Sequence, residues 1–123
     1  GKVDWLEKNP NGEYEVVDFK TGKTAQSQTK VEEGLELYVY ARGIEKKKAY
    51  GKLPVKASLY FIEADKQVAV DLDESKVKKV FEDKIKDLIQ GIMAEKFDAT
   101  PNSFNCRERC QYLDICDAGK SVT

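Results

Sequence analysis

Apolar and polar positions change period several times along this chain, and each change predicts an element. Residues 2–7 alternate weakly and predict a short strand. Asn9-Pro10-Asn11-Gly12 predicts a turn, and Asn-Gly is a strong hairpin signal. Residues 13–20, with Tyr14, Val16, Val17 and Phe19, predict the partner strand. Residues 21–29 are rich in Thr, Gly, Ser and Gln and predict a loop. From about Val31 to Lys47 the period becomes helical, with Val31, Leu35, Tyr38, Val39, Ala41 and Ile44 broadly on one side. A turn around Gly51 and Pro54 leads into a strand over 55–63. The chain turns at 64–67 and returns as a fourth strand to residue 72. Asp73 is placed to cap a long amphipathic helix reaching about Lys96. Its stripe of Val77, Val80, Phe81, Ile85, Leu88, Ile89 and Ile92 reads as core packing. After Thr100-Pro101 the pattern predicts an irregular tail.

The order strand-strand-helix-strand-strand-helix predicts an α/β fold, with a mixed central sheet flanked by helices. At 123 residues the chain can bury one real core and little more. It is 41% hydrophobic and 35% charged, the balance of a globular rather than a disordered chain. No apolar run approaches the roughly 20 residues that cross a bilayer, and no secretory pattern opens the sequence. The chain starts directly in a strand-like segment, as a fragment of a larger protein would.

Charge and cysteine usage narrow the chemistry. The net charge of −1 gives no global field that draws the chain to nucleic acid. Lys46, Lys47, Lys48, Lys52 and Lys56 are nevertheless clustered. They read either as a phosphate-contacting edge or as the solvated end of a helix whose dipole suits cations. The three cysteines, Cys106, Cys110 and Cys116, are odd in number and close together. That argues against a secreted disulfide framework and for a reducing, cytoplasmic setting. They would bind a cluster or zinc, or stand as three free thiols. Histidine is absent, which excludes a Ser-His-Asp triad, a Cys-His dyad and any histidine-containing zinc site built by these residues alone.

The most chemical stretch is Glu15-Val16-Val17-Asp18-Phe19-Lys20-Thr21-Gly22-Lys23. Strand side chains alternate between faces, so Asp18 and Lys20 point the same way. A carboxylate and an ammonium side by side at a strand end can bind a divalent metal and position a water or a phosphate oxygen. They can also be a plain surface ion pair. If residues 9–12 form a hairpin, Asp4 pairs beside Asp18, and two carboxylates converge on one hard cation, magnesium or manganese. Alone, Asp4 reads as a surface aspartate on an edge strand.

Gly1-x-Val3-Asp4, a hairpin, and then Val17-Asp18-Phe19-Lys20-Thr21-Gly22-Lys23 resemble the RecB-like branch of the PD-(D/E)XK nucleases. That branch carries Gly-x-x-Asp, then an Asp-Tyr-Lys-Thr-Gly-type motif, then a helix with Gln-x-x-x-Tyr. Gly34-Leu35-Glu36-Leu37-Tyr38-Val39-Tyr40-Ala41 sits in the helix's place. Residues 57–62 match the family's following strand, and Phe97-x-Ala99-x-Pro101 matches the run into a cysteine tail. The resemblance implies a restriction-endonuclease-like core over residues 1–100, with its N-terminal helix missing, and a cysteine tail over 101–123. It implies Asp4 and Asp18 as metal ligands, joined by the backbone carbonyl of Phe19. It implies Lys20 as the catalytic lysine and Tyr38 as the motif tyrosine. DNA contacts are expected from Lys23, Lys46, Lys47, Lys48 and Lys52.

In this register the motif glutamine falls on Gly34; a shift of two residues pairs Glu36 with Tyr40 instead. Family members often carry a metal-binding histidine on a preceding helix, and this chain has no histidine. In helicase-associated relatives a similar cysteine trio joins one upstream cysteine around a [4Fe-4S] cluster. The leading expectation is therefore a magnesium- or manganese-dependent deoxyribonuclease, more an exonuclease than an endonuclease, with a helicase domain in the same chain or complex. Two alternatives stay open: an inactive DNA-binding or scaffolding module of the same fold, and a small cysteine-tail metal protein acting in protein interactions.

Overall fold

The computed structural model describes residues 2–123; Gly1 of the first motif lies outside them. The chain divides into two compact units, residues 1–87 and 88–123.

The first unit is built on a four-stranded sheet in the order β1-β2-β3-β4. These strands are Trp5–Lys8, Tyr14–Lys20, Lys56–Phe61 and Lys66–Asp71. β1 and β2 form the expected hairpin. Asn9 closes its turn, its Oδ1 accepting from the backbone N–H groups of Asn11 and Glu13, each at 3.0 Å. Gly12 takes φ +78°, a left-handed conformation that glycine adopts without steric cost. β3 and β4 form a second antiparallel hairpin, and β2 runs parallel to β3, so the sheet is mixed as expected. A parallel join requires a long crossover, which the helices between β2 and β3 provide.

That crossover is two helices rather than one. α1 spans Gln28–Glu33 and α2 spans Glu36–Lys46. Ser27 caps α1 by accepting from the Lys30 N–H, and Gly34 ends it in extended backbone. α3, Glu74–Val80, starts at Asp73 as expected, with the Asp73 carboxylate accepting from the Lys76 N–H at 2.8 Å. Arg42 of α2 clasps Glu74 of α3 with both guanidinium nitrogens, at 3.0 and 3.1 Å.

One face of the sheet carries the core. Val16 on β2, Ala57, Leu59 and Phe61 on β3, and Val68 and Val70 on β4 share that face by register. Val31, Leu37, Tyr38, Ala41, Ile44 and Val77 from the three helices close over them. Val39, expected in the helical stripe, is instead about half exposed, because the buried face of α2 centres on Leu37, Tyr38, Ala41 and Ile44. Asp18 and Lys20 continue the same strand face as Val16, at its open end.

After α3 comes a single wide turn of π-helix, Phe81–Ile85, and then α4, Lys86–Met93. Val77 is fully buried and Val80 and Phe81 pack on the core, but Leu88, Ile89 and Ile92 are each more than half exposed, contrary to the expected continuous core stripe. The second unit is not irregular as expected but holds short helices: α5, Ser103–Glu108; a 3-10 turn, Leu113–Ile115; and α6, Asp117–Lys120. Asn102 caps α5. No buried hydrophobic side chain among the described residues comes from 88–123.

Candidate active site

β2 delivers the central pair. Its alternation sends Val16 into the core and puts Asp18 next along that face, 4% exposed. Lys20 follows at the strand end and reaches back, its Nζ 2.7 Å from the Asp18 Oδ2. A second carboxylate meets the same ammonium from the first turn of α2: Glu36 Oε1 lies 2.8 Å from Lys20 Nζ. The Tyr40 hydroxyl, one helical turn further along α2, donates to that Glu36 oxygen at 3.4 Å.

Asp4 comes from the chain leading into β1. Trp5 is the partner of Val17 in the antiparallel pair, so Asp4 stands across from Asp18 one step further on. Its Oδ2 accepts from the Phe19 backbone N–H at 3.0 Å. The N–H and C=O of one strand residue point to the same neighbouring strand, so the Phe19 carbonyl also faces the Asp4 side.

The electrostatics follow from this packing. Burial works against a charged Lys20, but hydrogen bonds and charge from Asp18 and Glu36 outweigh it, and the ammonium's pKa is raised above the ordinary lysine value. Lys20 is thus a fixed cation at neutral pH, not a base. The Tyr40 phenol is raised by burial and then by the Asp18 and Glu36 charges, so it stays protonated as a donor.

Tyr38 does not join this group. It is 1% exposed, and its hydroxyl donates to the Glu32 backbone carbonyl at 3.0 Å. The physical reason is helical phase: Tyr38 lies with Leu37, Ala41 and Ile44 on the core side, while Glu36 and Tyr40 lie on the side toward Lys20. The signal was present in the sequence, since Tyr38 falls within the apolar stripe and the i, i+4 pair Glu36–Tyr40 does not.

The donor set suits a hard cation. Asp4 and Asp18 supply carboxylate oxygens from paired strands, and Phe19 offers a carbonyl beside them. Among the described residues no group of three or more His, Cys, Asp or Glu side chains stands placed to hold a metal ion. Two carboxylates still fit magnesium, which keeps several waters and takes one or two carboxylates together with substrate phosphate.

A family model for the PD-(D/E)XK nuclease superfamily matches residues 1–117. The chain belongs to the PD-(D/E)XK nuclease superfamily. No match is found among curated proteins. The four-stranded mixed sheet with its helices is consistent with the restriction-endonuclease-like fold of that superfamily.

The other expected site residues are dispersed. Lys23 is exposed in the loop after β2, Lys46 ends α2, Lys47 caps it, and Lys48 and Lys52 are exposed in the turn before β3. Cys106 lies on α5, Cys110 after it, and Cys116 before α6, all as free thiols. Cys116 Sγ instead accepts from the Gly119 N–H at 3.3 Å, acting as a helix cap. The thiols are not assembled into a metal-holding group. No helix of the described residues is long and apolar enough to cross a membrane.

Proposed function

We propose that this chain is a divalent-metal-dependent deoxyribonuclease of the RecB-like branch, hydrolysing phosphodiester bonds with water. The observation that carries this reading is the Asp18–Lys20 ion pair on β2, with Asp4 held across the hairpin by the Phe19 N–H. Magnesium or manganese held by Asp4, Asp18 and the Phe19 carbonyl would supply an activated water and neutralise phosphate charge. Asp4 is oriented for this by the Phe19 N–H, and Asp18 by the Lys20 ammonium. Lys20, kept cationic, donates to a non-bridging phosphate oxygen and stabilises the charge that develops there. Glu36 and Tyr40 hold the lysine in place while it does so. We read the enzyme as an exonuclease working with a helicase domain in the same chain or complex.

The test is manganese-dependent cleavage of linear and circular DNA, single- and double-stranded, by wild type, Asp18→Ala and Lys20→Ala. Cleavage of linear substrates that both variants lose is the expected result. Cleavage of closed circles would replace the exonuclease mode with an endonuclease. No cleavage by wild type, or equal cleavage by the variants, leaves a DNA-binding module of the same fold.

A further inference from the structure

Beside the candidate active site lies a cavity of about 400 Å³ that the catalytic group does not use. It opens between β1 and α2, wholly within the first unit. Val3, Leu6 and Ile44 give it apolar walls, and Tyr40 and Tyr50 add aromatic surface. Lys2 and Lys47 are its charged residues, and no acidic side chain among the described residues lines it. Tyr50 is braced by an edge-on contact with Tyr14, ring centroids 5.4 Å apart. Tyr40 belongs to both places: its ring lines the cavity while its hydroxyl bonds Glu36, the partner of Lys20.

We propose that this cavity holds an unpaired nucleotide of a DNA strand, next to the phosphodiester presented to Lys20. This rests on the nuclease reading above and deepens it. The chemistry selects such an occupant in two ways. Apolar and aromatic walls suit the flat faces of a base, whose stacking on aromatic side chains tolerates any sequence. Two cations with no anion suit the flanking phosphates and disfavour an acidic peptide. A paired base keeps its faces stacked within the duplex, so the cavity reads single strands or frayed ends.

Gly43 provides a clean way to close the cavity. It lines the cavity on α2 between Val39 and Lys47 one helical turn to each side, and a Cβ built there meets nothing within 4 Å. Leucine is also a better helix former than glycine, so Gly43→Leu is expected to keep the fold and its melting temperature.

The experiment measures binding of a fluorescein-labelled oligothymidylate of about ten nucleotides by anisotropy in EDTA. Alongside it, the same proteins are assayed for manganese-dependent cleavage of linear DNA. Gly43→Leu and Tyr50→Ala are expected to weaken binding about ten-fold, the scale of one lost stacking contact. Tyr50→Phe and Lys78→Ala, the latter outside the cavity, are expected to bind as wild type. If wild type cleaves DNA and Gly43→Leu binds the oligonucleotide equally well, the cavity proposal is overturned while the nuclease reading stands. If wild type neither binds nor cleaves, both fall. Competition by thymidine monophosphate at equal nucleotide concentration would assign the cavity to a free nucleotide and overturn the strand reading.

Discussion

Two groups of candidate site residues occupy this chain in contrasting settings. At the end of β2, Asp18, Lys20 and Glu36 are drawn together by charge, with Asp4 fixed across the hairpin by a backbone N–H. Along residues 106–116, three thiols ride on short helices and a turn, unassembled, over a unit that buries no hydrophobic side chain. The difference lies in the backbone that carries them. A pleated strand puts residues i and i+2 on one face and its neighbour's partner beside them, so spacing becomes geometry. Short helices joined by irregular turns impose no such relation, and close spacing there brings nothing together by itself. A packed core beneath one group and none beneath the other adds to this, because a rigid support keeps charges in place at low reorganisation cost.

The contrast can be tested from its strongest side down. Asp18→Asn, which keeps the shape and removes the charge, should lower metal-dependent cleavage on the order of 10²–10³-fold in a steady-state assay. A loss under five-fold would mean the strand pair is structural. Next come two tyrosines two residues apart. Tyr38→Phe removes the hydroxyl that donates to the Glu32 carbonyl and should lower unfolding free energy by about 1 kcal/mol in urea titration, with cleavage unchanged. Tyr40→Phe should do the reverse, leaving stability within about 0.5 kcal/mol and lowering cleavage several-fold. An identical effect from both would erase the distinction between core and site on α2.

The Lys20 pairs supply a pH signature. The folded pKa of Lys20 is raised above its unfolded value near 10.4. Its ion pairs therefore contribute fully below that unfolded value, and the contribution is lost as pH climbs through the raised folded one. Wild type should exceed Lys20→Met in unfolding free energy by about 1 kcal/mol at neutral pH. The gap should close only above about pH 10.5. A gap that closed between pH 7 and 9 would place the proton elsewhere. The smallest effect belongs to the other group. Replacing Cys106, Cys110 and Cys116 together by Ser should leave melting and cleavage nearly unchanged, within about 0.5 kcal/mol. A large fall in either, together with bound iron or zinc in the wild type, would show that the thiols do assemble.

Much of this was legible along the chain for local reasons. Alternation in residues 13–20 and the Asn-Gly turn specify a hairpin, and that hairpin alone brings Asp4 beside Asp18. The Asp73 cap, the second hairpin and the mixed sheet follow from the same short-range rules. Other features needed the folded chain. Gly34 takes extended backbone and splits one helical period into two helices, with Val31 and Leu37 buried on either side of the break. Leu88, Ile89 and Ile92 keep the helical spacing of the buried Val77 yet stay exposed, which the period alone does not anticipate. Which of two tyrosines lies on the side toward Lys20 depends on how α2 is rolled against the sheet. That roll is set by the summed packing of Leu37, Ala41 and Ile44, not by the motif's own residues. The sequence by itself determined the strands, the hairpin and the chemistry carried on one strand face, since these are matters of neighbours and a period of two. The pairing of Lys20 with Glu36 and the cavity beside it were decided by tertiary structure. They join residues far apart in sequence, whose distances arise only when a core is packed.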